Sequence, residues 1–228
     1  MLLLALGGGA YLFARESSAF AVRTVEVEGA SGPLAEQIRG RLAPFVGHSL
    51  VTLDRGKVAR RVRALPEVAT VSVDRAFPHA LRVTVQVERS IAVLRQADQA
   101  WLLAADDRIL RRLEARPYPA LPRIWVPRDV TVLPGSTLSG DVAQAVRVAA
   151  VLAAERFRPA VRTVAARSAE LTLSLGSGVQ IRLGDSNDLR LKLAVAARIV
   201  PLAPGARSVD VSVPERAVAT YANAQAGG

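Results

Sequence analysis

The sequence predicts an α+β fold in two parts behind an N-terminal apolar segment, and three observations lead to this prediction. Over residues 20–89, the hydrophobic period changes from strand to helix and back to strand. From residue 90 onward, short alternating segments between turn residues predict a mostly antiparallel β domain with two helices. Half of the 228 residues are hydrophobic, which is enough for real cores and excludes global disorder.

The first strand and the first helix are predicted from alternation and from a well-placed proline. Val25 and Val27 stand between polar residues, which predicts a strand that ends at Gly29. Pro33 suits the first turn of a helix, because the N–H that it lacks would have no partner there. The apolar stripe of this helix consists of Leu34, Ile38 and Leu42.

A second helix carries signals at both of its ends. The carboxylate of Asp54 can cap its N-terminus. Val58, Val62 and Leu65 fall at i, i+4 and i+7, so they share one face of the helix. Pro66 ends the helix, because it has no N–H to donate and disfavours helical geometry at the residue before it.

Two strands joined by a tight turn at residues 77–80 complete the first part. The first of these strands is expected to point inward through Ala69, Val71 and Val73. The second is expected to point inward through Leu81, Val83, Val85 and Val87. The two helices then cover one face of this hairpin.

The second part opens with short strands. Segments 91–94 and 99–103 are apolar, and Asp106-Asp107 is expected to turn the chain before a strand at 109–110. Residues 116–127 contain four prolines and are expected to form an extended crossing segment instead of a regular element.

Two helices and five strands are expected after this segment. Ser139 or Asp141 can cap a helix whose inward face consists of Val142, Val146, Ala149 and Ala153. Strands follow at 161–165 and 171–175, and Gly176-Ser177-Gly178 turns the chain into a strand at 179–183. The next helix is expected to face inward through Leu189, Leu193, Ala196 and Val200. Strands at 209–213 and 216–221 close the chain.

The first part carries a set of motifs in a fixed order. These are Phe20 and Val22, Leu53-Asp54, Leu65-Pro66-Glu67-Val68, Arg75-Ala76-Phe77-Pro78 and Glu88-Arg89. Together they resemble the FtsQ/DivIB family of bacterial cell-division proteins, which begins with a POTRA domain of β-α-α-β-β order. The resemblance implies a transmembrane anchor at 1–19, a POTRA domain at 20–89, an FtsQ-type β domain at 90–221 and a flexible tail at 222–228.

The N-terminus is consistent with a membrane anchor but is short for one. Residues 1–14 are without charge and would reach about 21 Å as a helix, against roughly 30 Å for the bilayer core. A signal peptide is the alternative, although neither a basic region before it nor a clear cleavage site after it is present. We therefore expect a truncated transmembrane segment, with further spanning residues and a basic stretch upstream.

The family resemblance also implies a function. It implies a single-pass protein of the cell membrane, with the bulk of the chain extracytoplasmic and located at the division septum. Such a protein is a non-catalytic scaffold of the divisome. Its partners would be FtsB/DivIC and FtsL and, through them, the septal peptidoglycan synthase.

The last strand is where the resemblance implies partner binding by strand addition. A terminal strand at a sheet edge offers unpaired N–H and C=O groups, which suits this mode of binding. The expected contact residues are Val213, Glu215, Val218, Thr220 and Tyr221. Packing of the Tyr221 ring over the end of the sheet is the alternative explanation for that residue.

The sequence gives no support for an enzyme, a cofactor or a small-molecule substrate. It has no cysteine, and its two histidines, His48 and His79, fall in predicted loops without clustered carboxylates. The Gly176-Ser177-Gly178 turn joins two strands, whereas a nucleophile elbow needs a strand-to-helix turn.

The net charge of +10 leaves two interpretations open. The excess arginine either reflects genome composition or attracts an anionic lipid, wall polymer or acidic partner. Lys57, Arg60, Arg61 and Arg63 are interpreted as the solvated face of the second helix, and the lack of interleaved aromatics argues against nucleic acid. The alternatives to a division scaffold are a POTRA-containing translocation component and a basic wall- or lipid-binding module.

Overall fold

The computed structural model describes residues 20–114, 120–155 and 157–221. The chain divides into two compact units, of which the first ends at Glu88 and the second begins at Arg89. The expected anchor at 1–19 and the expected tail at 222–228 lie outside the described residues. Within the described ranges, no helix has both the length and the apolar character needed to cross a membrane.

The first unit follows the predicted order of strand, helix, helix, strand, strand. Its elements are β1 Thr24–Glu28, α1 Gly32–Leu42, α2 Arg55–Arg63, β2 Val68–Ala76 and β3 Ala80–Val87. The sheet order is β1-β3-β2, with β3 parallel to β1 and antiparallel to β2. The last strand of the unit is therefore the central strand of its sheet.

One core joins the two helices to this sheet. Asp54 caps α2 as predicted, because its Oδ1 accepts hydrogen bonds from the backbone N–H of Gly56 at 2.8 Å and of Lys57 at 3.1 Å. The core includes the helix residues Leu34, Ile38, Val58 and Val62 and the strand residues Val73, Val83 and Val85, with Val71 packed at its margin. The predicted apolar faces thus meet each other.

The ends of the hairpin depart from strict alternation. A register shift between Val68 and Thr70 leaves Ala69 as an extra residue in β2. Val68 is therefore buried and Ala69 is exposed, so the prediction that Ala69 points inward is wrong. Val87 was also expected inside, but it is exposed at the last position of β3.

The second unit is built on one sheet of nine described strands. They are β4 Ser90–Gln96, β5 Gln99–Ala104, β6 Ile109–Arg112, β7 Arg123–Trp125, β8 Val161–Arg167, β9 Glu170–Leu175, β10 Gln180–Gly184, β11 Ala206–Asp210 and β12 Val218–Tyr221. The sheet order is β12-β11-β10-β9-β8-β7-β4-β5-β6. Five neighbouring pairs are antiparallel and three are parallel, so the sheet is mostly antiparallel as predicted.

Two helices cover one face of this sheet, α3 Gly140–Ala154 and α4 Leu189–Ile199. The strand register places one apolar row across that face, made of Leu94, Ile124, Val164, Leu173, Ile181, Val209 and Ala219. The same hydrophobic cluster includes Val142 and Val146 of α3 and Leu193 and Ala196 of α4. Burial of this row against the helices is what sets the strand register.

Three predictions for the second unit are wrong in detail. Part of the segment predicted as irregular, Arg123–Trp125, is strand β7, which lies between β4 and β8 and is parallel to both. The strand predicted at 209–213 spans Ala206–Asp210 instead. In α3, Leu152 is buried and Ala153 is only partly buried, which shifts the inward face by one residue.

The turn between β5 and β6 places an aspartate in a backbone conformation that glycine usually occupies. Asp107 has a φ of 65°, in the left-handed region that glycine adopts most easily. Aspartate tolerates this region better than most residues because its short side chain can bond locally. In the same turn, the Asp106 carboxylate accepts a hydrogen bond from the backbone N–H of Arg108 at 3.3 Å.

Candidate functional site

Strand β12 lies at one edge of the nine-stranded sheet. Among the described strands it pairs only with β11, in an antiparallel register that joins Asp210 to Val218, Val209 to Ala219 and Ser208 to Thr220. An edge strand carries a row of backbone N–H and C=O groups on its outer side that can accept another strand. The backbone geometry therefore permits strand addition at β12.

The five predicted contact residues all lie on β12 or in the connection that leads to it. Val218 and Thr220 point to the face away from the helices and are exposed. Tyr221 ends the strand with 52% of its surface exposed. Val213 is 51% exposed, and Glu215 lies in a short 3-10 turn between β11 and β12. Three of the five residues thus lie on the edge strand, and the other two lie in the connection that precedes it.

Local hydrogen bonds explain why β11 ends where it does. The Oδ1 of Asp210 accepts from the backbone N–H of Ser212 at 2.9 Å and from its hydroxyl at 2.7 Å. This Asx turn gives the backbone an alternative to the sheet ladder, so the strand stops at Asp210. The backbone N–H of Arg216 then donates to the carbonyl of Val213 at 2.9 Å and closes the turn before β12.

The connection rests against the corner between β10 and α4. Gly184 has a φ of 66°, and a Cβ there would lie 2.8 Å from the Cβ of Ser212. Only glycine allows this close approach without a shift of the chain. Sequence reasoning did not identify Gly184 as part of the site environment.

At the same corner, the buried side chain of Lys192 in α4 contacts Asp185, the residue directly after β10. The residue is only 3% exposed, and its Nζ donates to Asp185 Oδ1 at 2.6 Å and to the Asp185 carbonyl at 3.1 Å. A buried ammonium group needs such partners, because an unpaired charge in the interior is costly. The sequence carried one signal of this contact, because Lys192 stands on the apolar face of its helix, between Leu189 and Ala196.

This contact predicts an acid-dependent loss of stability. The hydrogen bond from Lys192, with a second from the Asn187 backbone, holds the pKa of Asp185 below its ordinary value of 3.8. The stabilisation is therefore fully present above pH 3.8 and is lost as the pH falls through the lower pKa of the folded state. Urea unfolding at several pH values measures this effect. The free energy of unfolding of the parent chain should exceed that of Asp185→Asn, and this difference should shrink only as the pH falls below 3.8.

Asp188→Asn is the matched control for this measurement. Asp188 is exposed, and its side chain makes no capping hydrogen bond at the start of α4. Asparagine also tolerates its left-handed conformation. An acid-dependent difference of equal size in this variant would contradict the role of the Lys192 contact.

The structure places the two histidines and the Gly176-Ser177-Gly178 segment in turns and bends between the regular elements. Within the described ranges, no group of three or more His, Cys, Asp or Glu side chains is placed to hold a metal ion. His48 is exposed, and the Nδ1 of His79 lies 3.3 Å from the carbonyl of Ala21, which ties the start of the first unit to the hairpin turn. The Gly176-Ser177-Gly178 segment is a turn before β10, as predicted.

A small β-α-α-β-β unit followed by a sheet with an open edge strand defines a POTRA-bearing protein with a β-rich second unit. The family model described as "POTRA domain, FtsQ-type" matches residues 20–89. A cell division protein FtsQ of Streptomyces collinus is 30% identical over 93% of this chain and 83% of its own length. The chain belongs to the FtsQ/DivIB family of cell-division proteins.

Two mycobacterial relatives are longer than this chain. The cell division protein FtsQ of Mycobacterium leprae (strain Br4923) is 28% identical over 86% of this chain and 55% of its own length. That of Mycobacteroides abscessus is 27% identical over 93% of this chain and 65% of its own length. Membership of this family gives the chain a role in bacterial cell division.

Proposed function

We propose that the chain is a non-catalytic, membrane-anchored scaffold of the divisome that binds other division proteins by strand addition to β12. Its partners are FtsB/DivIC and FtsL, and through them it helps to control septal peptidoglycan synthesis. The observation that carries the proposal is the position of β12 at the sheet edge, with exposed Val218, Thr220 and Tyr221. Family membership supplies the class of partner.

The proposal includes the arrangement of the whole chain. Residues 1–19 form part of the anchor, 20–89 the POTRA domain, 90–221 the partner-binding β domain and 222–228 a tail. The bulk of the chain is extracytoplasmic and gathers at the septum. The family model over residues 20–89 and the division of the chain after Glu88 support this arrangement.

Two variants test the edge-strand mechanism. Thr220→Pro removes a backbone N–H from β12, and Tyr221→Ala removes the exposed ring at its end. Both changes are expected to abolish capture of the soluble domain of the FtsB/DivIC homologue from the same organism, because strand addition depends on the ladder of N–H and C=O groups. Pulldown with the purified partner measures this, and circular dichroism checks that the sheet remains folded.

A proline at the opposite edge of the same sheet is the matched control. Arg112 is an exposed residue of β6, which is the other outermost strand. Arg112→Pro introduces the same backbone defect at an edge and should leave partner capture at the parent level. Capture at parent strength by Thr220→Pro would refute the mechanism, as would equal loss in the two proline variants.

A further inference from the structure

One end of the first unit, here called the entry end, contains Phe20, the first described residue, and is built from segments 20–24, 43–57 and 75–81. The first of these segments runs between the other two. The carbonyl of Phe20 accepts a hydrogen bond from the backbone N–H of Leu50 at 2.8 Å, and Ala21 forms an antiparallel bridge with Ser49. On the other side, the Nδ1 of His79 lies 3.3 Å from the carbonyl of Ala21. These contacts fix the three segments to one another.

Helix α2 starts at the entry end. The guanidinium of Arg75, near the end of β2, donates to the carbonyl of Leu53 at 2.8 Å, one residue before the Asp54 cap. One helical turn further on, the guanidinium carbon of Arg61 lies 5.9 Å from the centre of the Phe45 ring. The first turn of α2 is therefore attached to the rest of the entry end.

The charged side chains of the entry end are mostly basic. Its three segments contain four basic residues and one acidic residue, a net charge of +3, and these residues are Arg23, Arg55, Lys57, Arg75 and Asp54. All four basic side chains are exposed, and the one carboxylate caps α2. The adjacent carboxylates of β1 and β2, Glu26 and Asp74, both stand beside Arg82 in the sheet register, and Glu26 bonds to it at 3.1 Å. The entry end is therefore electropositive.

Two large apolar side chains are exposed at the same end. Phe77 is 55% exposed, and its ring packs edge-on against the ring of Phe20, with 5.7 Å between the two centroids. Val46 is 48% exposed, and the next residue, Gly47, donates its backbone N–H to the carbonyl of Val22 at 2.9 Å. Both side chains are thus accessible on a backbone that is held in place. Exposed apolar side chains among basic ones are typical of a surface that lies at a membrane interface.

The sequence limits the distance between the entry end and the proposed anchor. Ala14 is the last residue of the uncharged stretch at 1–14, and Phe20 follows it by six residues. Six residues span at most about 21 Å even when they are fully extended. The headgroup region on each side of a bilayer is itself about 5–8 Å thick. A tether of this length keeps the entry end at a high effective concentration near the membrane surface, so weak contacts suffice.

We propose that the entry end docks the first unit on the surface of an anionic phospholipid bilayer, which rests on the membrane anchoring proposed above. Arg55 and Lys57 meet the phosphate groups, and Phe77 and Val46 enter the boundary between headgroups and acyl chains. The contact sets the orientation of the first unit on the membrane and is separate from partner binding at β12. The bilayer is the anionic surface that the anchor itself brings to this end, whereas a protein partner has to be recruited to it.

The test uses the full chain in nanodiscs of phosphatidylcholine, with and without added phosphatidylglycerol. The sequence has no cysteine, so one introduced cysteine can carry an environment-sensitive NBD dye. Thr52→Cys places the dye on an exposed residue of the entry end, and Thr70→Cys places it on β2, about 20 Å before the end of that strand. Spin-labelled lipids should quench the dye at position 52 more strongly in anionic discs than in neutral discs. The dye at position 70 should respond equally weakly in both.

Two double variants separate the entry end from net charge. Arg55→Ala/Lys57→Ala should lower the ratio of docked to undocked first unit about thirty-fold in anionic discs. Arg60→Ala/Arg63→Ala removes the same charge from exposed positions further along α2 and should keep most of the parent quenching. Val46→Ser should weaken docking without changing its salt dependence, because it removes an apolar contact.

Equal quenching at position 52 in neutral and anionic discs would overturn the proposal. Equal losses in the two double variants would also overturn it, because they would assign binding to net charge alone. So would a response to soluble glycerol phosphate as strong as the response to the anionic bilayer. Co-elution of the chain with neutral discs tests the anchor separately. Without co-elution the anchor fails, and the same dye with an excess of phosphatidylglycerol vesicles then decides docking: quenching supports the proposal and its absence refutes it.

Discussion

Replacing Val83 by aspartate is expected to unfold the first unit. Val83 is fully buried in the central strand β3, where it pairs with Val27 of β1 and Val73 of β2. A carboxylate at this position has no partner in the apolar core and costs several kcal/mol, or becomes protonated at a comparable cost. This loss is a large fraction of the roughly 5–15 kcal/mol that stabilises a whole domain.

The effect of Val83→Asp can be assigned to one unit by spectroscopy. Trp101 and Trp125 both belong to the second unit, so tryptophan fluorescence follows that unit alone, whereas far-ultraviolet circular dichroism follows both. The variant should lose part of its dichroism at 25 °C. Gln86→Asp places the same carboxylate on the exposed side of β3 and should melt as the parent does. Identical melting of Val83→Asp and Gln86→Asp would contradict the inward orientation of Val83.

The second large effect is expected at Gly29, the residue directly after β1. Its φ is 81°, and a Cβ on it would lie 1.9 Å from the carbonyl oxygen of Val85. Gly29→Ala therefore combines left-handed strain with a collision against the backbone of the neighbouring strand. The strain costs about 1–2 kcal/mol, and we expect the collision to add about 1–3 kcal/mol more. Chemical denaturation of the full chain, followed by circular dichroism, measures the sum.

Gly47 separates the two contributions, because its φ of 89° is similar and no atom lies within 4 Å of a Cβ built on it. Gly47→Ala should therefore show the strain alone. The difference between the two variants is the cost of the collision. Equal destabilisation in both would mean that β1 and β3 do not approach as closely as the structure shows.

Local signals were sufficient to predict the core of the first unit. Capping by Asp54 fixed the start of α2, and the period of Val58 and Val62 fixed its inward face. These are properties of a few neighbouring residues, so the sequence displays them directly. The helix ends at Arg63, so the prediction that it includes Leu65 is wrong, although Leu65 is buried in the same core. The wrong assignment of Ala69 has a different origin. A bulge inserts one residue into a strand without any residue type that marks it.

Strand β7 shows why parallel pairing is harder to predict than a hairpin. It has three residues and lies near Pro122 and Pro127, so its local sequence resembles an irregular segment. What makes it a strand is pairing with β4 and β8, which are distant in sequence. The position of β12 beside β11 followed from an adjacent turn and could be predicted. The contacts of Gly184 and Lys192 that support the connection before β12 could not be predicted, because they join residues from different elements of the fold.

The inward residues of β12 are Ala217, just before it, and Ala219, both only half-buried at the margin of the hydrophobic core. The apolar row that starts at Leu94 therefore ends on a methyl group in contact with solvent. A strand added to β12 would place its own alternate side chains beyond Ala219 and complete that row. Folding and association of the second unit would then be linked equilibria. At a partner concentration of about 100 times Kd, the free energy of unfolding would rise by about 2.7 kcal/mol, so the melting temperature of this unit would depend on partner concentration.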